Sequence, residues 1–225
     1  MKTLLILGAG GFGQMVKETA LQLGYEKVVF LDDAAKGEDV IGMCCDYVLR
    51  HSEYPVAVAA FGNNRTRLQW TDKLIQEGYE VPAIIHPSAV VSPSAVVEPG
   101  CFIMQRAVVN THTKIERAAL INSGAVVDHD SVVCAGAHVC LGSIVKANCT
   151  IESGRKVEAG EVIFSTRRKI EGADSRCLED AVYAFGFGLQ CSYVKPFGEG
   201  HINETYAVYM PDQMVQMYLF MCFSV

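Results

Sequence analysis

From residue 86 to residue 163 every sixth position is valine or isoleucine, thirteen times in succession from Val91 and Val97 through to Ile163. A helix cannot keep such a column on one face, because its period is 3.6 residues. A coil with three six-residue sides can, since it turns every sixth side chain into one prism. The fourth place of each hexad is small in eleven of the thirteen repeats, as in Ala89, Ala107, Ala119 and Ser131. Small residues suit the interior where three sheets meet and bulk would overpack. Arg155 and Glu161 break that rule in the last two hexads, where a solenoid runs out of neighbours and needs a polar cap. The spacing predicts a parallel β-solenoid in which residues eighteen apart stack. Asn110, Asp128 and Lys146 then share one edge, and His112 lies beneath Asp130.

The chain upstream has a different rhythm. A strand over 3–7 runs into GAGGFG and then into a helix marked by Phe12, Val16, Ala20 and Leu23 at helical spacing. A second strand over 27–31 ends in Asp32 and Asp33. A third over 55–61 meets Gly62, Asn63 and Asn64 and a helix reaching about residue 76, and a strand over 81–85 leads into the solenoid. Strands alternating with helices imply a small parallel sheet that binds ligands at the carboxyl ends of its strands. Gly8, Gly10 and Gly13 satisfy G-x-G-x-x-G between strand and helix, where backbone N–H groups can receive a phosphate. The 83 residues before the solenoid leave no room for the second mononucleotide half of a dinucleotide domain. A sugar-linked nucleoside diphosphate therefore fits better than NAD.

The expected organisation is a Rossmann-like domain over 1–83, the solenoid over 84–164 and a C-terminal extension over 165–225. In the extension a short helix is expected over 177–185, and two strands within 190–210 around FGEGHINETY. A net charge of −6 argues against a nucleic-acid partner, which calls for a basic stripe. Nine cysteines, scattered through positions that a solenoid buries, suit a reducing compartment, and a cytoplasmic location is expected. The N-terminal apolar run is too short for a secretory signal. The apolar last twelve residues are too short to span a bilayer, so no membrane span is expected.

Chemistry on such a platform needs a base. His129 stands between Asp128 and Asp130 at a solenoid corner, His138 comes nine residues later on the next side, and His112 lies one coil below. A carboxylate fixes the tautomer of a histidine and eases formation of its cation, as general-base removal of a proton requires. Asp130 is the favoured orienter. A weaker alternative joins His112, His129 and His138 around a metal between subunits; otherwise no metal is expected.

The succession GAGGFG, LDD, GNNRTR and then hexads carrying INSGAVVDHD and GAHVCLGS resembles the nucleotide-sugar acyltransferase family that includes the bacillosamine N-acetyltransferases and the sialic acid O-acetyltransferases. The resemblance covers residues 1–163. It implies a nucleotide-sugar-binding α/β domain, a left-handed parallel β-helix assembled as a homotrimer, and acetyl-CoA as co-substrate along the groove between subunits. His129 is then the general base with Asp130 beside it, and Asn122 contacts the acceptor sugar. His138 and Gly142 face acetyl-CoA. Gly10, Gly11 and Gly13 meet the diphosphate, with Asp32, Asp33 and Asn63 near the nucleoside, and the acceptor is a UDP- or CMP-linked sugar. The implied reaction is direct acetylation of a sugar amine or hydroxyl.

Two departures accompany the resemblance. Phe12 stands where the family often has a histidine. The hexads also stop at Ile163 without the further coils and closing G-x-P-A segment usual in the family. An alternative function follows from the second, a catalytically impaired nucleotide-sugar-binding trimer with a shortened β-helix. The tail VKPFGEGHINETYAV resembles the opening strands and glycine loop of aminoglycoside and N-acetylhexosamine phosphotransferases, without the lysine strand, catalytic loop or metal ligands of a kinase.

Overall fold

A computed structural model describes residues 2–164 and the strands Tyr193–Pro196, Tyr206–Tyr209 and Met214–Val215. The chain divides into two units, Met1–Ile163 and Phe164–Val225. The first opens with β1 (Thr3–Leu7), α1 (Gly11–Gln22), β2 (Lys27–Leu31), the single turn α2 (Tyr47–Arg50), β3 (Ala57–Ala59) and α3 (Asn64–Gln76). The sheet is parallel in the order β2-β1-β3. Its strands are almost continuously apolar and buried, as a parallel sheet covered on both faces requires.

β1 and β2 occupy the spans expected from the sequence. β3 is shorter than the 55–61 expected. Pro55 has no N–H to offer, and β1 ends at Leu7, so the chain peels away once the Ala60 N–H has bonded to the Leu7 carbonyl at 2.8 Å. Of the strand expected over 81–85, only Ile84–Ile85 pairs. Its partner is Phe102–Ile103, which makes it the first rung of the solenoid.

Fourteen two-residue strands, from Ile84–Ile85 to Val162–Ile163, form three parallel sheets of five, five and four strands. Partners are eighteen residues apart, as in Leu120 with His138 and Val126 with Ile144. Ile103, Ile115, Ile121, Val127, Val133 and Val139 fill the prism, each fully buried. The fourth-place Ala107, Ala119, Ala125 and Ala137 are equally buried. Thr113 and Ser131 enter the interior by donating their hydroxyls to the Asp128 and Lys146 carbonyls at 3.2 and 3.0 Å. A buried hydroxyl without such a partner would be costly. At the far end Arg155 and Glu161 pair with each other at 3.8 Å, giving the last coil charged fourth places.

The third place of the hexads follows a backbone rule of its own. From Gly100 to Gly160 every third-place residue is left-handed, with φ between 55° and 72°. Glycine fills six of these corners, and Arg106, His112, Ala118, Asp130 and Asn148 the rest. Asp, Asn and His adopt this region more readily than most residues, so polar side chains collect at the corners.

The three outer faces differ. Ile84, Phe102 and Leu120 on the first join Leu4, Ile6, Val28, Phe30 and Val58 in one core, so the α/β layer and the solenoid bury each other. The second face is apolar along its length, with Val90, Val108, Val126, Ile144 and Val162 in register. Val90 on that face is 62% exposed. The third carries Val96, Lys114, Val132 and Thr150.

In the second unit Tyr193–Pro196 pairs antiparallel with Tyr206–Tyr209, in keeping with two strands within 190–210, and Met214–Val215 adds a third that was not anticipated. The glycine turn between the first two strands and the helix expected over 177–185 lie outside the described residues. Among the described residues no helix is long and apolar enough to cross a membrane.

Candidate active site

The carboxyl ends of β1 and β3 lead into the N-termini of α1 and α3, and the candidate acceptor residues collect there. Asp32 organises the glycine loop. Its Oδ2 accepts the Ala9 N–H at 2.7 Å, and its Oδ1 accepts the N–H groups of Ala34 at 2.8 Å and Ala35 at 2.7 Å. The Ala35 and Ala9 amides hold the carboxyl below its ordinary pKa, so it is a fixed anion that shapes the loop. Asp33 Oδ1 accepts the Cys44 N–H at 2.8 Å and ties in the following segment.

The glycines divide by environment. Gly10, Gly11 and Gly62 have no atom within 4 Å of the place a Cβ would take, so the backbone is open to a ligand. At Gly13 a Cβ would lie 2.0 Å from the Gly8 carbonyl oxygen. Its missing side chain is what allows α1 to approach β1. Asn63, expected near the nucleoside, is the N-cap of α3: its Oδ1 accepts the Thr66 N–H at 2.9 Å. Phe12 packs edge-on against Phe102 with ring centroids 5.1 Å apart. The side chain standing where the family often has a histidine is thus spent on the joint with the solenoid.

His129 occupies the corner between the Val126–Val127 and Val132–Val133 strands. Its Nδ1 lies 2.7 Å from Asp130 Oδ2, while His112 Nδ1 lies 3.4 Å from Asp130 Oδ1. The hydrogen bond to Asp130 raises the His129 pKa above its ordinary value, and the same bond lowers that of Asp130. With Nδ1–H donating to the carboxylate, Nε2 is the nitrogen able to take a proton. Asp128 accepts both the Asn110 side-chain N–H at 2.9 Å and the His129 N–H at 2.8 Å, which fixes the backbone beneath the ring. The left-handed φ of 56° at Asp130 turns the chain at this corner.

His138 sits on the first face, above Leu120 and where the α/β cover ends. Its Nε2 is 3.2 Å from Asn122 Nδ2 and 3.5 Å from Cys140 Sγ. Burial, with smaller contributions from Arg67 and Lys156, pushes its pKa down to about 4. Asn122, expected on the acceptor sugar, is joined to His138. Gly142, with φ of 63°, stands at an open corner with no atom within 4 Å of its missing Cβ. The structure therefore brings His129 together with Asp130, and Asn122 with His138, on different sides of one prism. His112 is at the first group and His138 at the second, and among the described residues no group of three His, Cys, Asp or Glu could hold a metal.

Arg67 was missed by reasoning from the sequence. It is fully buried beside His138, and its only local signal is the GNNRTR run.

Residues 3–74 match the PglD N-terminal domain. The acetyltransferase domain of PglB from Neisseria gonorrhoeae FA1090, in complex with acetyl coenzyme A, is similar at 35% identity and a TM-score of 0.69, over 73% of this chain and 82% of that one. PerB from Caulobacter crescentus, in complex with CoA and GDP-perosamine, is similar at 29% identity and a TM-score of 0.65, over 73% of this chain and 90% of that one. With that identity and coverage, an α/β domain of the PglD type and a solenoid of hexads, the chain belongs to the nucleotide-sugar acetyltransferases built on a left-handed parallel β-helix.

Proposed function

We propose that the protein transfers the acetyl group of acetyl-CoA to an amino or hydroxyl group of a nucleotide-linked sugar. The observation that carries this reading is the His129–Asp130 pair, a ring held at 2.7 Å by one carboxylate with Nε2 left to accept a proton. Residues 1–83 take the acceptor and residues 84–164 perform the transfer. The open backbone at Gly10 and Gly11 suits a diphosphate at the N-terminus of α1, with Asp32 and Asp33 bordering the nucleoside. His138 and the open corner at Gly142 suit acetyl-CoA. The GDP-perosamine bound to PerB supports an amino sugar as acceptor.

Acetyl-CoA supplies the activated acyl group and a sulfur leaving group. His129 Nε2 takes the proton of the attacking amine or hydroxyl as its bond to the acyl carbon forms and the carbon–sulfur bond breaks, and the proton passes on to the departing thiolate. Asp130 stabilises the imidazolium formed. The free corner at His129, whose side chain is 49% exposed, and the apolar second face suit a homotrimer in which a neighbouring subunit closes the site.

Thiol release from acetyl-CoA, scanned against UDP-, GDP- and CMP-linked amino sugars, tests the proposal. Turnover with one acceptor, reduced about 10²–10⁴-fold in His129→Ala, is the expected result. Tight nucleotide-sugar binding without thiol release from any acceptor would favour the catalytically impaired binding trimer.

A further inference from the structure

α3 lies along one edge of the solenoid and meets it coil by coil. A Cβ at Gly100 would lie 2.7 Å from Thr71 Cγ2, and Arg67 Nε donates to the Ala118 carbonyl at 2.8 Å. A Cβ at Gly136 would lie 3.1 Å from Leu68 Cβ, and Asn64 Nδ2 donates to the Gly154 carbonyl at 2.9 Å. Positions 100, 118, 136 and 154 are stacked left-handed corners. Residues 71, 67 and 64 lie on one helix face and span about 10.5 Å at 1.5 Å per residue. The three coil steps from Gly100 to Gly154 span about 14 Å at about 4.8 Å each. The reach of the Arg67 and Asn64 side chains covers the difference.

Arg67 is the centre of this joint. It is fully buried, and its hydrogen-bond partners among the described residues are backbone carbonyls and one amide oxygen rather than carboxylates. Burial lowers its pKa to about 10. All five guanidinium N–H groups have acceptors. Nε uses the Ala118 carbonyl. Nη1 uses the carbonyls of Phe61 at 3.0 Å and Gly62 at 3.5 Å, and Nη2 uses Asn64 Oδ1 at 3.0 Å and the Gly136 carbonyl at 2.9 Å. A buried cation without a counter-ion is costly to keep, and packing alone could have been served by an apolar side chain. What the guanidinium adds is a rigid fork of fixed geometry. Two of its bonds reach the open loop after β3, and two reach the corners before the strands that carry Leu120 and His138.

We propose that Arg67 is a positioning residue for acyl transfer: its planar fork sets the separation between the Phe61–Gly62 acceptor loop and the coil that carries His138. The proposal rests on the acetyltransferase reading above. It assigns Arg67 no contact with either substrate. Loosening the fork leaves both binding sites intact and misaligns them, which lowers turnover without weakening binding.

Arg67→Lys keeps the charge and removes the fork. Asn64→Ala removes one acceptor of the fork together with the bond to Gly154, and it carries the test if Arg67→Lys does not fold. Three quantities are measured on each full-length variant: kcat, KM for each substrate, and binding stoichiometry by calorimetry. Amide hydrogen exchange over 61–64 and 136–138 is followed alongside. The expected result is a fall in kcat per binding-competent site of about 10–100-fold, with both KM values within about threefold and faster exchange confined to those segments. An unchanged kcat, or a fall that only tracks lost binding sites, overturns the proposal. A wild type without turnover removes the acetyltransferase reading; exchange then decides the clamp alone, supported by local acceleration at 61–64 and overturned by its absence.

Discussion

Asn122 faces His138 with its amide nitrogen, 3.2 Å from the ring Nε2, because its Oδ1 is taken by the Ser123 N–H at 2.8 Å. Nε2 must therefore accept, and the ring proton belongs on Nδ1. The Cys140 thiol on the same nitrogen agrees with this. His138 is thus held as a neutral ring of one tautomer and His129 as a readily protonated one, two histidines nine residues apart with opposite tendencies. Their surroundings cause the difference: His138 lies at the edge of the shared core, while His129 stands in water beside two carboxylates.

Stability should record the state of His138. Above pH 6.5 the ring is neutral in both folded and unfolded chains and contributes nothing to pH dependence. Between 6.5 and about 4 the unfolded chain takes a proton that the folded one refuses, so folding weakens as pH falls through that window. His138→Gln should flatten this part of the curve of melting temperature against pH. Identical slopes in the two proteins would show that His138 is not kept neutral.

The pH profile of transfer should report His129. Because Asp130 raises its pKa, the rising limb of kcat/KM should lie above 6.5 in the wild type and move to lower pH in Asp130→Asn. Activity should also fall, since a neutral amide stabilises the imidazolium less. Steady-state rates from pH 5 to 9 check this, and an unmoved limb would place the titration elsewhere.

The glycine loop contains two kinds of glycine, and substitution should separate them. Gly10→Val enters open space, so it should weaken nucleotide-sugar binding with little change in melting temperature. Gly13→Ala drives a methyl group into the Gly8 carbonyl and should cost at least about 2 kcal/mol of stability, because backbone cannot rotate away. Calorimetry and thermal melts on both variants distinguish the effects.

A charge on the apolar second face should break the proposed trimer. Val126 is central in the column from Val90 to Val162, and Val126→Lys should convert a trimer to monomers by light scattering while leaving the described fold unchanged. A wild type that is monomeric at micromolar concentration would remove the trimer.

The hexad phase, the inward valine and isoleucine column and the small fourth places were readable from residue order alone. They depend on a strict period, and a period of six with eighteen-residue stacking leaves one architecture. β1, β2 and the GAGGFG turn were readable for a similar reason, since each is specified within a dozen residues. The His129–Asp130 pair was legible because its members are neighbours in sequence. The Asn63 cap of α3 is a local signal that was available but not drawn, an asparagine just before the helix. Residue order could not show that Gly13 is pressed against Gly8, or that Asn122 belongs to His138 across sixteen residues. It was equally silent on Arg67, whose acceptors at Ala118 and Gly136 lie 51 and 69 positions away. The Arg67 bonds follow from the docking of the α/β layer on one face of the solenoid. The Gly13 contact follows from the approach of α1 to β1, and the Asn122–His138 contact from the stacking of coils. Each is a property of packing between segments that the residue order does not place together.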